Sequence, residues 1–251
     1  MNKILNIRGW VLLESVVPMA LVGHMLMDLY YAQIICREAQ VRNGIKNTEG
    51  TVHHLPAILS CDSFLAFLDA NPAADVIADY FKGSYILNSM GGNFNEARNY
   101  ASAIHRDIRS FHSNCPMLNT LVMLDDFTAE NGATWLMHGS HTLSERPTEA
   151  EFHAEAEQIT APAGSILVWV SNLWHKAGEN KTGKPRRIVT PIFTHPWYKA
   201  GFDYCRAIGY DDVAKMTPYL QQVLGYNARV PATFDEWYQP PEKRMYRGDQ
   251  G

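Results

Sequence analysis

No C-x-x-C pair occurs among the four cysteines, Cys36, Cys61, Cys115 and Cys205, so neither a zinc ribbon nor a thioredoxin-like redox motif is spelled out. Reduced, unpaired thiols are the expectation. Dense Lys/Arg blocks interleaved with aromatics are missing too. The formal net charge of -4 supplies no attraction to a phosphate backbone, so nucleic acid is not expected as a partner. Nor is there a long run free of polar groups. The most apolar N-terminal stretch, SVVPMALVGHMLMDLYYAQIIC, carries His24, Asp28 and Gln33 within any window long enough to span a bilayer. No basic region with a cleavage site precedes it, so neither a membrane partner nor a signal peptide is expected, and a cytoplasmic location follows. Low-complexity runs and solenoid-period repeats are absent. What remains is ordinary globular composition, 46% hydrophobic and 11% aromatic over 251 residues, which reads as one domain spanning 1–251.

The patterning divides without a linker. GWVLLE at 9–14 is short and apolar and predicts a strand, and Pro18 suits the first turn of a helix running to about Arg42, with Gly44 as its stop. Asp62 or Ser63 is placed to cap FLAFLDA, and AADVIADYFKG reads as a further amphipathic helix. From Ser84 onward short β-like runs alternate with turn residues: SYILNSM, ASAIH, NTLVMLDDF, ATWLMHGS, QITAPAG, SILVWVSNLWH and RRIVTPIFT. Helix returns near DVAKMTPYLQQVLG. Strands in series after helices predict a sandwich or barrel with helices packed outside.

The stretch HRDIRSFH at 105–112 admits two chemistries. A kinase catalytic loop needs an asparagine five residues after the aspartate to hold a second magnesium, and His112 stands there. No G-x-G-x-x-G precedes it, and DDFT at 125–128 lacks the glycine of a magnesium-binding D-F-G, so the kinase reading fails. The metal reading places His105 and Asp107 on one strand face, where positions i and i+2 lie roughly 6–7 Å apart. A second histidine would complete a two-histidine, one-carboxylate face that leaves part of the coordination shell open for substrates. His175, after the apolar run GSILVWVSNLW, is the best candidate. His53 and His54 fall in a predicted loop, His138 and His141 flank a turn, and His195 precedes Pro196. Eleven residues beyond His175, Arg186 opens an apolar strand. A guanidinium facing a barrel interior needs an anion, and a dicarboxylate held in a bidentate contact would supply one. Alternation turns Arg187 the other way, toward solvent, although either arginine could serve.

Together His105-x-Asp107, LDDFTAENGATWLMHGSH at 124–141, His175 and GENKTGKPRR leading to Arg186 resemble the phytanoyl-CoA dioxygenase family of iron(II)- and 2-oxoglutarate-dependent oxygenases. RGWVLLESVV is similar to that family's opening strand and helix. The resemblance implies a mainly β fold, a double-stranded β-helix (jelly-roll, cupin-like) core with N-terminal and C-terminal helices outside. It implies that His105, Asp107 and His175 bind Fe(II), that Arg186 binds the far carboxylate of 2-oxoglutarate, and that Asn88 presents an amide to this cosubstrate. With O2 the products would be an oxidised small molecule, succinate and CO2. Phe111, Arg98 and Trp135 are the substrate candidates, and Phe111, Trp135, Met90 and Met123 face either the mouth or, as aromatics and methionines at strand spacing more often do, the core. The chain departs from the family's Pro-Gly-Ser-His in having His138-Gly139-Ser140-His141, a change of turn rather than of chemistry. Asp107 stands where related halogenases carry a small residue, which disfavours halogenation. The competing reading is a metal-binding jelly roll without oxygenase activity, which has no use for Arg186. Oligomeric state is not legible.

Overall fold

The computed structural model describes residues 2–45, 51–96 and 102–250. Nine strands form two antiparallel sheets among these residues. The larger contains β1 (Trp10–Leu13), β2 (Thr51–Val52), β3 (Ile86–Asn95), β4 (Met117–Met123), β7 (Ile166–Val170) and β9 (Arg186–Thr194), in the order β1-β7-β4-β9-β3-β2. The smaller holds β5 (Trp135–Met137), β6 (Ala156–Gln158) and β8 (His175–Lys176), ordered β6-β5-β8. This is the expected mainly β jelly roll with helices outside.

Period-two alternation sorts the central strands. On β7, Ile166, Val168 and Val170 join the core under the helices, whereas Leu167 and Trp169 pack between the sheets with Leu121, Met123, Phe127 and Leu136. All five β7 residues are buried, which explains an unbroken apolar run where a one-sided strand would alternate. On β9, Val189 and Phe193 point to the helices, while Arg186, Ile188, Thr190 and Ile192 line the barrel interior. One face of this strand therefore stabilises the fold and the other is free for chemistry.

The outer layer is built by α1 (Asn2–Arg8), α2 (Met19–Arg42), α3 (Ser63–Asp69) and α4 (Ala74–Phe81), joined by α5 (Tyr204–Ile208) and α6 (Pro218–Val223) from the C-terminal region. In α2, Val22, Met25, Leu29 and Ala32 are buried against the large sheet. Gly92 permits this approach, since a Cβ there would lie 2.3 Å from Leu29 Cδ1. α2 is also long and apolar enough to cross a membrane, by length and composition. Neither Asp62 nor Ser63 caps α3 with its own side chain. Asp28 on α2 does so instead, accepting from Ser63 N at 3.1 Å and Ser63 Oγ at 2.5 Å. A tertiary carboxylate has replaced the local cap predicted from sequence.

ASAIH is a correction. Its first residue lies outside the described set, and 102–104 form no strand; His105 makes only an isolated bridge to His175. SYILNSM, by contrast, is longer than predicted, with β3 reaching Asn95 across an irregularity between Leu87 and Ser89. The four thiols are free, and all but Cys36 are buried. Burial pushes the Cys61 thiol up to about 11 and Cys205 up to about 12, keeping both protonated and unreactive.

Candidate active site

The bridge between His105 and His175 brings two distant segments together. His105 N donates to His175 O and His175 N to His105 O, both at 2.9 Å, and the ring centroids stand 4.2 Å apart. Asp107 follows after its own N–H donates to Ser171 O at 3.1 Å, which turns the carboxylate back toward the two rings. Asp107 Oδ1 lies 3.9 Å from His105 Nε2, and Oδ2 lies 3.4 Å from His175 Nε2. One ligand atom from each residue falls within 4.8 Å of the others. The predicted trio is thus assembled, by a bridge and a turn rather than by one strand face.

Backbone carbonyls fix the imidazole tautomers. His105 Nδ1 sits 2.8 Å from Ala103 O and His175 Nδ1 sits 3.0 Å from Leu173 O, so each Nδ1 donates and each Nε2 lone pair is left toward the cluster. Burial holds His175 below the ordinary imidazole range, in the neutral form that can ligate. Two imidazole nitrogens and one carboxylate oxygen suit a divalent first-row metal.

Asp107 Oδ2 is itself held. Asn119 Nδ2 donates to it at 2.8 Å and Trp169 Nε1 at 3.2 Å, and Ser171 Oγ donates to Asn119 Oδ1. Asn119 and Trp169 are directly opposite on β4 and β7, so sheet register places both donors on the same oxygen. Replacing Asn119 by leucine is expected to weaken metal affinity about 10–100-fold, the usual effect of losing a group that orients a ligand. Titration with cobalt(II) checks this, and unchanged affinity would show that the contact does not orient the carboxylate.

Arg186 is 3% exposed. Its Nη1 donates to Gly132 O, its guanidinium carbon lies 4.1 Å from the Phe127 ring centroid, and Asn95 accepts from Nη2 at 3.1 Å in the amide orientation that satisfies both its ends. Gly132 has φ +81°, and a Cβ there would meet Gly178 O at 2.4 Å, so this carbonyl is presented by a turn only glycine can make. Arg186 Nε is buried without a hydrogen-bond partner, and no carboxylate forms an ion pair with this side chain among the described residues. Burial pushes its pKa down to about 10. Asp125 acts on it only at a distance and is itself paired with Arg187, so a buried cation of this kind calls for an anionic ligand. Arg187 is not simply solvated: its guanidinium pairs bidentately with Asp125 and donates to Tyr30 at 3.1 Å, which leaves it no free fork for a cosubstrate.

His105, Asp107, His175 and Arg186 line a single cavity of about 310 Å³. Several predicted neighbours lie elsewhere. Asn88 Nδ2 donates to Lys199 O at 3.1 Å outside the cavity lining, because the β3 irregularity turns it away; Asn95 reaches Arg186 instead. Phe111 packs under Arg106, 5.9 Å from its guanidinium carbon, and Trp135 stands edge-on to His153, whereas the adjacent Thr134 lines the cavity. Met123 packs in the core between the sheets, while Met90 does line the cavity. Arg98 lies outside the described residues. Asn119 and Trp169 were legible in principle as polar atoms inside otherwise apolar strands. His53 and His54, which also line the cavity, follow a strand of two residues too short to register as a pattern.

Residues 51–188 match the phytanoyl-CoA dioxygenase (PhyH) family. The chain belongs to that family of iron(II)- and 2-oxoglutarate-dependent oxygenases. An uncharacterized protein of Mycobacterium tuberculosis is 33% identical over 196 residues, covering 75% of this chain and 72% of the relative. The dioxygenase olcK of Penicillium canescens is 28% identical, covering 89% of this chain and 79% of its own. The fold is that of EctD from S. alaskensis, solved with 2-oxoglutarate and 5-hydroxyectoine, at a TM-score of 0.64 and 18% identity, covering 76% of this chain and 74% of that one.

Proposed function

We propose that this phytanoyl-CoA dioxygenase family member hydroxylates an unactivated C–H bond of a free small molecule. The observation that carries the reading is a three-donor cluster and a buried arginine, without an ion-pair partner among the described residues, facing one cavity. A metal-binding jelly roll without turnover gains nothing from that arginine. His105, Asp107 and His175 would hold Fe(II), and Arg186 would hold the distal carboxylate of 2-oxoglutarate, the dicarboxylate that EctD binds on the same fold. When bound, the iron and 2-oxoglutarate supply, with O2, an oxidant strong enough for a C–H bond, and succinate and CO2 leave.

The protein's own contribution is charge and placement. Arg186 and Asp107 offset the dianion and the dication, so the filled cavity approaches neutrality, as a low-dielectric site requires. Asn119 and Trp169 hold Oδ2, which fixes the orientation in which Asp107 would offer its carboxylate to the metal. Leu121, Ile188 and Ile192 exclude water from the reacting region.

The test is succinate release with Fe(II), ascorbate and O2 across a panel of small metabolites, in buffer containing chloride and bromide. The expected result is stimulation by at least one compound, with mass spectrometry showing added oxygen and no halogen isotope pattern. A halogenated main product would contradict Asp107 as a metal ligand, and a panel in which nothing releases succinate would favour the binding-protein reading.

A further inference from the structure

The cavity wall away from the three-donor cluster carries information about what enters it. Asp107 and Arg186 are the only carboxylate and the only guanidinium or ammonium lining it among the described residues. Under the functional reading above, on which this inference rests, the metal takes the first and 2-oxoglutarate the second. Among the described residues no fixed charge is then left for the substrate, and a charge buried there would find no partner in them. Met90, Leu121, Ile188 and Ile192 offer apolar contact instead.

One polar group on this wall is set up as a donor. Met90 N donates to Tyr204 Oη at 3.0 Å, and the phenol can in turn donate its own proton to His54 Nδ1, 3.4 Å away. Burial raises the Tyr204 pKa, so this proton stays in place at neutral pH. With Nδ1 accepting, the His54 proton resides on Nε2, the opposite tautomer to that of His105 and His175. Burial, and then the neighbouring His53, hold His54 below the ordinary imidazole range, so it is a neutral donor. The ring is clamped against Phe202, with centroids 4.2 Å apart and planes 15° from parallel. Its backbone is left-handed, with φ 57° and ψ 41°, a conformation few non-glycine residues adopt and one that tertiary contacts must maintain. Nε2 has no hydrogen-bond partner among the described residues.

We infer that the substrate places an uncharged, oxygen-bearing carbon skeleton in this cavity, with a carbonyl or hydroxyl oxygen accepting a hydrogen bond from His54 Nε2. His54 is then a specificity-determining residue, and an ammonium-bearing analogue is rejected for want of a partner.

Calorimetric titration of the protein loaded with cobalt(II) and 2-oxoglutarate under argon tests this. The probes are three uncharged ketones, camphor, menthone and carvone, against bornylamine, which shares the camphor skeleton but is protonated at neutral pH. At least one ketone should bind, and bornylamine should bind at least about tenfold more weakly than camphor. His54→Phe and His54→Asn should each lower ketone affinity about tenfold, the share of one neutral hydrogen bond, with 2-oxoglutarate affinity unchanged. Asparagine tolerates left-handed backbone, so the second variant keeps the test valid should the first fail to fold. Binding of 2-oxoglutarate with no ketone bound, bornylamine binding as tightly as camphor, or wild-type ketone affinity in a folded variant would each overturn the inference. If 2-oxoglutarate itself fails to bind the metal-loaded protein, the functional reading falls and this inference with it.

Discussion

Asp107→Asn is expected to lose succinate-forming turnover by a factor of at least about a hundred, because the metal's charge stabilisation is worth several kcal/mol and each 1.36 kcal/mol is tenfold in rate. The amide is the informative replacement. It removes the negative charge the metal needs, yet its oxygen can still accept from Asn119 Nδ2 and Trp169 Nε1 as Asp107 Oδ2 does. Asp107→Ala would strand both donors, one on a residue 3% exposed and the other on a residue 4% exposed, at about 1–3 kcal/mol for each buried group left unsatisfied. The alanine variant should therefore melt measurably lower while the asparagine variant melts near the parent. Turnover and thermal melting, measured on both, separate loss of the ligand from loss of packing. Near-parental turnover in Asp107→Asn would remove this residue from the metal site.

Arg186→Met is expected to weaken 2-oxoglutarate by about 2–5 kcal/mol while leaving cobalt(II) affinity close to parental, since truncating one partner of a desolvated ion pair costs that much. The effect on folding should differ between the two states. Without cosubstrate, the variant exchanges a buried cation that forms no ion pair among the described residues for an apolar chain of similar reach, a gain, and strands the Gly132 carbonyl, a loss of similar size. The melting temperature of the metal-loaded, cosubstrate-free protein should therefore barely move. Adding saturating 2-oxoglutarate should raise it for the parent and much less for the variant, by the linkage between binding and folding. Arg187→Met is the control: its guanidinium is committed to Asp125, and removing it should leave 2-oxoglutarate affinity unchanged. The opposite result, with Arg187→Met losing 2-oxoglutarate and Arg186→Met retaining it, would exchange the two roles.

The sequence by itself determined the chemistry-bearing residues that depend on type and order along the chain. His105 and Asp107 are adjacent but one, and Arg186 opens a strand whose apolar alternation points it inward. The unbroken run in β7 marks a strand covered on both faces, and this too is local information. Tertiary structure decided whatever depends on which strands are neighbours. The pairing of β4 with β7 sets Asn119 opposite Trp169 and so directs both donors onto one carboxylate oxygen, a relation between residues separated by fifty positions. Asp28 caps α3 because the packing of α2 brings it there. Asn88 was predicted at the cosubstrate and is absent from the cavity lining because a one-residue irregularity in β3 changes which side chains face inward, and period-two reading cannot anticipate a bulge. His53 and His54 enter the cavity just after a strand of two residues, the left-handed backbone of His54 held by Phe202 and Tyr204 from the C-terminal region. No local pattern encodes that placement, because the energy that maintains it comes from contacts about 150 residues away along the chain.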